Sequence, residues 1–145
     1  MKYLTLLIVV GLCAGCAGTL KTNVSPVADI ANAGGKIEDS GQAIFQATIK
    51  STVPQNVKND VALAVNKLGH VGLTLNGALA AYNAAKAAGT DLTAVRAAVL
   101  QALGVVSTFL TDIGKALSPG TLQTVDALAS TILSIVAQVK VGVGL

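Results

Sequence analysis

The sequence predicts an all-α fold, an up-down-up-down four-helix bundle with helices near residues 26–50, 54–88, 91–117 and 119–140. Hydrophobic residues make up 52% of the 145 positions but aromatic residues only 3%, so the core must consist of many small side chains, as in closely packed helices. Apolar residues recur at steps of three and four in four successive segments. Because short turns separate these segments, consecutive helices are expected to pack antiparallel.

The first predicted helix starts at Ser25-Pro26, where serine is the N-cap and proline takes the first helical position. Gly34-Gly35 costs about 2 kcal/mol of helix propensity. We therefore expect either a break there or the close approach of a neighbouring backbone. The apolar stripe of this helix consists of Ile30, Ala33, Ile37, Ile44 and Thr48, flanked by Val27, Gly41 and Phe45.

The second predicted helix follows Ser51-Thr52-Val53-Pro54 and ends at Gly89, a glycine suited to the C′ position. Three glycines in its middle, Gly69, Gly72 and Gly77, indicate a possible bend. Its seam is Val57, Val61, Ala64, Leu68, Val71, Leu75, Ala78 and Tyr82.

The third predicted helix has Thr90 as its N-cap and Asp91 at the positive end of the helix dipole. Ser118-Pro119-Gly120-Thr121 separates it from the fourth, and residues 142–145 are expected to form a loose tail. The two seams are Leu92, Val95, Val99, Ala102, Val106, Phe109, Ile113 and Ala116, then Leu122, Val125, Ala129, Ile132, Val136 and Val139.

Residues 1–15 have the pattern of a secretory signal peptide. Lys2 precedes an apolar run from Leu4 to Leu12, and the small residues Ala14 and Gly15 follow. The run is shorter than the roughly 20 apolar residues that a retained transmembrane helix needs.

The leader ends in Cys13-Ala14-Gly15-Cys16, which resembles the lipobox of bacterial lipoproteins. The resemblance implies that Cys16 carries a thioether-linked diacylglycerol, that the chain is cut before it, and that its new amine is acylated, for example with palmitate. Cys13 stands where the family usually has leucine. A disulfide or CxxC site is the alternative, and it requires that both cysteines stay in the folded chain.

Residues 16–25 then form a lipidated tether, followed by a helical bundle over residues 26–141. Residues 17–24 could span about 28 Å when extended. The residue after Cys16 is Ala17 and not an acidic residue. In the lipoprotein family this implies the outer membrane, with the protein facing the periplasm. In a host without an outer membrane, the cell membrane takes its place.

The sequence predicts no catalytic, cofactor or metal site. His70 is the only histidine and neighbours the second seam, so we interpret it as a surface or boundary residue. The acidic residues are scattered; Glu38 and Asp39 are the one adjacent pair, and neighbours on a helix point about 100° apart. The net charge of +3 is spread thinly, without a basic patch, so no nucleic-acid partner is expected. Tyr82 and Phe109 are expected in the core.

Two segments, residues 97–110 and 127–139, are apolar enough for a bilayer interface or a partner's groove. Burial within the bundle is the simpler expectation. The sequence thus favours a non-catalytic structural or interaction module, anchored in the envelope by Cys16, with an envelope protein as a further partner. Small alanine-rich helical lipoproteins of phages and prophages are similar in general character. This resemblance implies an alternative, a membrane-active protein of the lysis or superinfection-exclusion type; a carrier of an apolar ligand is a further alternative.

Overall fold

The structure, a computed structural model, describes residues 30–145 and confirms an all-α helical bundle. The predicted signal peptide, Cys16, the tether and the predicted start of the first helix lie outside these residues. The helices are α1 (Ala33–Lys50), α2 (Gln55–Leu68), α3 (Val71–Ala88), α4 (Thr93–Ala116) and α5 (Gln123–Val143).

The helices form four rods, because α2 and α3 together take the place of the second predicted helix. α1 packs against α5 on one side and against α2 and α3 on the other, and α4 packs against α2 and α3. Cross-helix contacts fit an antiparallel order: Lys67 of α2 meets Asp112 of α4 at 3.1 Å, and Arg96 of α4 donates to the carbonyl of Val143 at 2.9 Å. α4 and α5 touch very little. The bundle is therefore closed on three sides and open between α4 and α5.

The predicted seams form the core. Phe109 lies near its middle, and a Cβ placed on Gly41 of α1 would approach its ring. The sequence pattern missed several buried side chains, including Val65, Leu79, Leu103 and Leu117. The largest fully buried side chains are Phe109, Ile37, Ile44, Leu68, Leu75, Leu79, Ile132, Val61, Val99, Val106, Val139 and Val143.

The second predicted helix breaks between Leu68 and Val71, which confirms the bend expected from its glycines. The break exposes backbone N–H groups at the start of α3, and the Glu38 carboxylate of α1 accepts a hydrogen bond from Gly72 N–H at 2.9 Å. His70 lies at the break and is exposed. A side chain from another helix thus caps α3.

Close backbone approach explains Gly34 but not Gly35. A Cβ on Gly34 would overlap the carbonyl of Gly72, and Gly34 N–H donates to Asn76 Oδ1 at 3.0 Å. A Cβ on Gly35 would meet nothing. α1 begins at Ala33, directly before the two glycines, and Ala31 and Asn32 form a turn. The predicted helix is therefore interrupted just before Gly34, and Gly34 also meets a neighbouring backbone, so both expected features occur here.

The ends of α4 and α5 differ from the prediction. Thr90 does not cap α4; Asp91 Oδ1 accepts hydrogen bonds from the Thr93 backbone N–H at 3.0 Å and the Thr93 hydroxyl at 2.8 Å. α5 starts at Gln123 and continues to Val143, so the expected loose tail is helical for half its length. Val143 continues the four-residue step from Val139 into the core, and its burial outweighs the low helix propensity of the intervening glycine.

Candidate functional site

α4 and α5 carry long stretches without charge. No charged residue occurs between Arg96 and Asp112, or between Asp126 and Lys140. Both helices are long and apolar enough to cross a membrane, by length and composition alone. A core helix of a soluble protein passes the same test when it is mostly buried, yet only 28% and 22% of the two apolar windows are buried here. Both segments pack within the bundle by one face, as expected, while most residues of the two windows are not buried.

An open groove of about 280 Å³ runs between these two helices, and we call it the α4–α5 groove. The groove exists because the apolar seams of the two helices pack on other helices. α5 packs chiefly on α1, and α4 packs on α2 and α3. The groove is lined by Leu100, Leu103, Gly104, Ser107, Leu110, Leu133, Val136 and Lys140.

The groove has a buried floor and an exposed rim. Leu103 is only 4% exposed, whereas Leu100 and Leu133 at the rim are 46% and 56% exposed. A Cβ on Gly104 would meet no atom, so this side of α4 leaves open space. Removing the exposed half of two leucines from water contributes about 2 kcal/mol, which is weak unless the occupant is held nearby.

Several hydroxyl groups on α4 and α5 are paired within their own helix. Four of them donate to the carbonyl oxygen four residues earlier in the same helix, an arrangement that pairs the donor without water. Such a surface loses less on leaving water than one with free hydroxyl donors. The four are Thr108 (3.1 Å), Thr111 (2.9 Å), Ser130 (2.9 Å) and Thr131 (3.0 Å).

Positive charge gathers at one end of the groove. Lys140 lines it, and Arg96 lies nearby with Nε bonded to the Val143 carbonyl. The described chain begins at this same end, because Ile30 packs where a Cβ on Gly142 would lie. Among residues 30–145 the acid near Arg96 is Asp91, and hydrogen bonds from the Thr93 hydroxyl and backbone lower the pKa of its carboxyl below the ordinary value.

The residues considered for chemistry from the sequence do not converge. Glu38 caps α3 while Asp39 is exposed, and Tyr82 and Phe109 are buried in the core as predicted. Within residues 30–145, no three His, Cys, Asp or Glu side chains stand close enough to hold a metal ion. Cys16, the predicted lipidation site, lies outside the described range.

A second cavity of about 250 Å³ lies between α2 and α4, and its lining is charged. The ion pair between Lys67 and Asp112 crosses it, with Asp60 and Lys115 nearby. The 3.1 Å contact joins an exposed lysine to a partly exposed carboxylate, so it contributes at most about 1 kcal/mol to stability. We interpret this site as a surface contact between helices.

Sequence reasoning identified the two apolar segments but missed the groove between them. The available signal was the lack of charge at positions outside the seams, such as Leu100 and Leu133. No protein-family model, curated protein or solved structure matches this chain.

Proposed function

We propose that this protein is a lipid-anchored, non-catalytic helical module of the bacterial envelope, attached to the membrane through acylated Cys16. The observation that carries the proposal is the leader, in which an apolar run ends in small residues directly before a cysteine. At about 0.8 kcal/mol per buried methylene, one acyl chain binds a membrane marginally and two or more anchor it stably. Three chains on Cys16 make the attachment permanent.

The bundle supports a structural or interaction role. The core forms among residues 30–145, and every buried side-chain polar atom in this range has a hydrogen-bond partner. A body that packs without the leader suits a protein whose first residues serve as an address and an anchor. Because Ala17 follows Cys16, we place it at the outer membrane, facing the periplasm, with an envelope protein as a further partner.

Intact mass and membrane fractionation test the anchor. Protein isolated from a bacterial host with an outer membrane is expected to begin at Cys16 and to carry three acyl chains. Cys16→Ala is expected to abolish palmitate labelling and recovery in the outer-membrane fraction. Cys13→Ala is the matched control, since Cys13 leaves with the leader, and it is expected to retain both. A free Cys16 thiol or an uncleaved leader in the wild-type protein would refute the proposal.

A second candidate function is membrane insertion, in which α4 and α5 leave the bundle and span the bilayer. Their low burial favours it, and so does their length: at 24 and 21 residues they would reach about 36 and 32 Å, enough for a hydrocarbon core of about 30 Å. Insertion requires the core contacts of both helices to be given up. It predicts leakage of a dye from vesicles, whereas the anchored module predicts none.

A further inference from the structure

We propose that the α4–α5 groove faces the bilayer in which Cys16 is anchored, so that the intact bundle lies on the membrane with lipid as the occupant of the groove. The proposal deepens the function above by assigning a contact surface and an orientation. It rests on the proposed function only in that the anchor holds the bundle near the bilayer. The contact itself is made by the side chains of the groove.

The chemistry of the surface matches the interfacial region of a bilayer. The leucines at the rim, Leu100 and Leu133, are left partly exposed by the helices of residues 30–145, since α4 and α5 pack on other helices. The nearby hydroxyls of Thr111 and Ser130 are already bonded within their own helices. Apolar side chains and paired donors both tolerate the loss of water.

Charge complementarity sets the orientation along the groove. Lys140 at one end of the lining lies at the same end of the bundle as Arg96 and Lys86, and among residues 30–145 the acid near Arg96 is Asp91. Anionic lipid headgroups attract such a cluster of cations. This end of the bundle therefore lies among the headgroups.

The start of the described chain lies at the same end. Ile30 packs beside Gly142, one turn or less from Lys140, and Cys16 stands fourteen residues before Ile30. Residues 17–24 alone could span about 28 Å when extended, so the anchor allows the groove to meet the bilayer. A connection of this length gives an effective concentration in the millimolar range, and a weak contact is then enough for substantial occupancy.

The size of the groove favours lipid over a second copy of the chain. Eight residues line it, whereas a stable protein interface uses about 20–30 residues on each side. A contact of this size reaches high occupancy only when its partner is held nearby, as the bilayer is by the anchor, and not when the partner is free in solution. We therefore assign the bilayer as the occupant.

Flotation of the non-lipidated mature chain, residues 16–145 with Cys16→Ala, tests the surface without the anchor. Vesicles of phosphatidylcholine mixed with phosphatidylglycerol are expected to bind it, and Leu100→Gln with Leu133→Gln should lower the partition coefficient about tenfold. The matched control is Leu63→Gln with Leu73→Gln, two leucines of α2 and α3 that are 60% and 76% exposed. The control should stay within about twofold of the parent. Lys140→Gln should weaken binding to the anionic vesicles about fivefold and leave phosphatidylcholine vesicles unaffected.

Thiol labelling identifies the side that meets lipid. In the same cysteine-free background, vesicles should slow maleimide labelling of Ser107→Cys, which lines the groove, and leave Thr131→Cys accessible. Thr131 is two residues from Leu133 and so points about 200° away from it around α5. Circular dichroism of each variant verifies that the bundle is folded.

The outcomes separate this proposal from its rivals and from the anchor. Equal vesicle binding by the groove pair and the control pair overturns it, and equal protection of both introduced thiols replaces it with insertion. A dimer abolished by Leu100→Gln with Leu133→Gln, without vesicle binding, assigns the groove to a second copy. Binding of dodecanoate without vesicle binding assigns it to a carried ligand. None of these results bears on the anchor, which is tested separately by the intact mass of the protein acylated at Cys16.

Discussion

The contact between α1 and α3 and the contact between α4 and α5 are opposites. At the first, backbones meet at Gly34 and Gly72, and the side chains of Glu38 and Asn76 bond to the backbone of the facing helix. At the second, the two helices stay apart along a groove, and Arg96 provides a hydrogen bond between them at one end alone. The first contact specifies the position of its helices, whereas the second leaves apolar surface free for a partner.

Replacement of Gly34 with alanine tests the first contact most severely. The added Cβ would overlap the Gly72 carbonyl, and backbone cannot move aside as a flexible side chain can. We expect the free energy of unfolding to fall by about 3 kcal/mol, measured by urea denaturation. Gly35→Ala is the control: its Cβ meets nothing, and the gain in helix propensity should raise stability by up to about 1 kcal/mol. Equal effects of the two substitutions would contradict the close approach at Gly34.

Removal of the Glu38 carboxylate tests the cap on α3. Glu38→Ala leaves the Gly72 N–H without its acceptor, and we expect a loss of about 2 kcal/mol. Glu38→Gln keeps an acceptor oxygen and should lose less. Asp39→Ala, at the exposed neighbour, should stay within about 0.5 kcal/mol of the parent in the same denaturation series. Should Asp39→Ala cost as much as Glu38→Ala, the cap would not be specific.

Gly104→Ala tests the open space between α4 and α5. Its Cβ has free space, so the substitution should stabilise the protein by up to about 1 kcal/mol through helix propensity, the reverse of Gly34→Ala. Thermal unfolding of the two variants side by side measures the difference in sign. Destabilisation at Gly104 would mean that α4 and α5 are closer together in solution than their groove implies.

The smallest expected effect is at the start of α4, beside the groove. Hydrogen bonds from Thr93 lower the pKa of Asp91, so its contribution to stability is present above the pKa of the unfolded chain and is lost as the pH falls through the lowered pKa of the folded chain. The NMR shift of the Thr93 amide should follow this titration. Asp91→Asn removes the titrating group. The difference between the urea midpoints of this variant and of the parent protein should therefore shrink on acidification. A difference that is independent of pH would exclude the carboxylate as the cause.

The sequence predicted the core far better than the candidate site. Ile37, Leu75 and Val106 are buried because an apolar residue that repeats with the helical period must face other helices. The break before Val71 was expected from glycine alone. Its cap was not, because Glu38 and Gly72 are distant along the chain and nothing local relates them.

By itself the sequence determined an all-α protein and the stripe by which each helix meets its neighbours, and near its start it carries residues that resemble a lipobox. Those features depend on local propensity and on the period of the apolar residues. Only the tertiary structure decided that α5 packs on α1 and not on α4, since both helices offer apolar residues around much of their circumference. The groove between α4 and α5 arises because α5 packs on α1. The apolar pattern along the chain does not indicate which of two apolar helices, α1 or α4, α5 packs against.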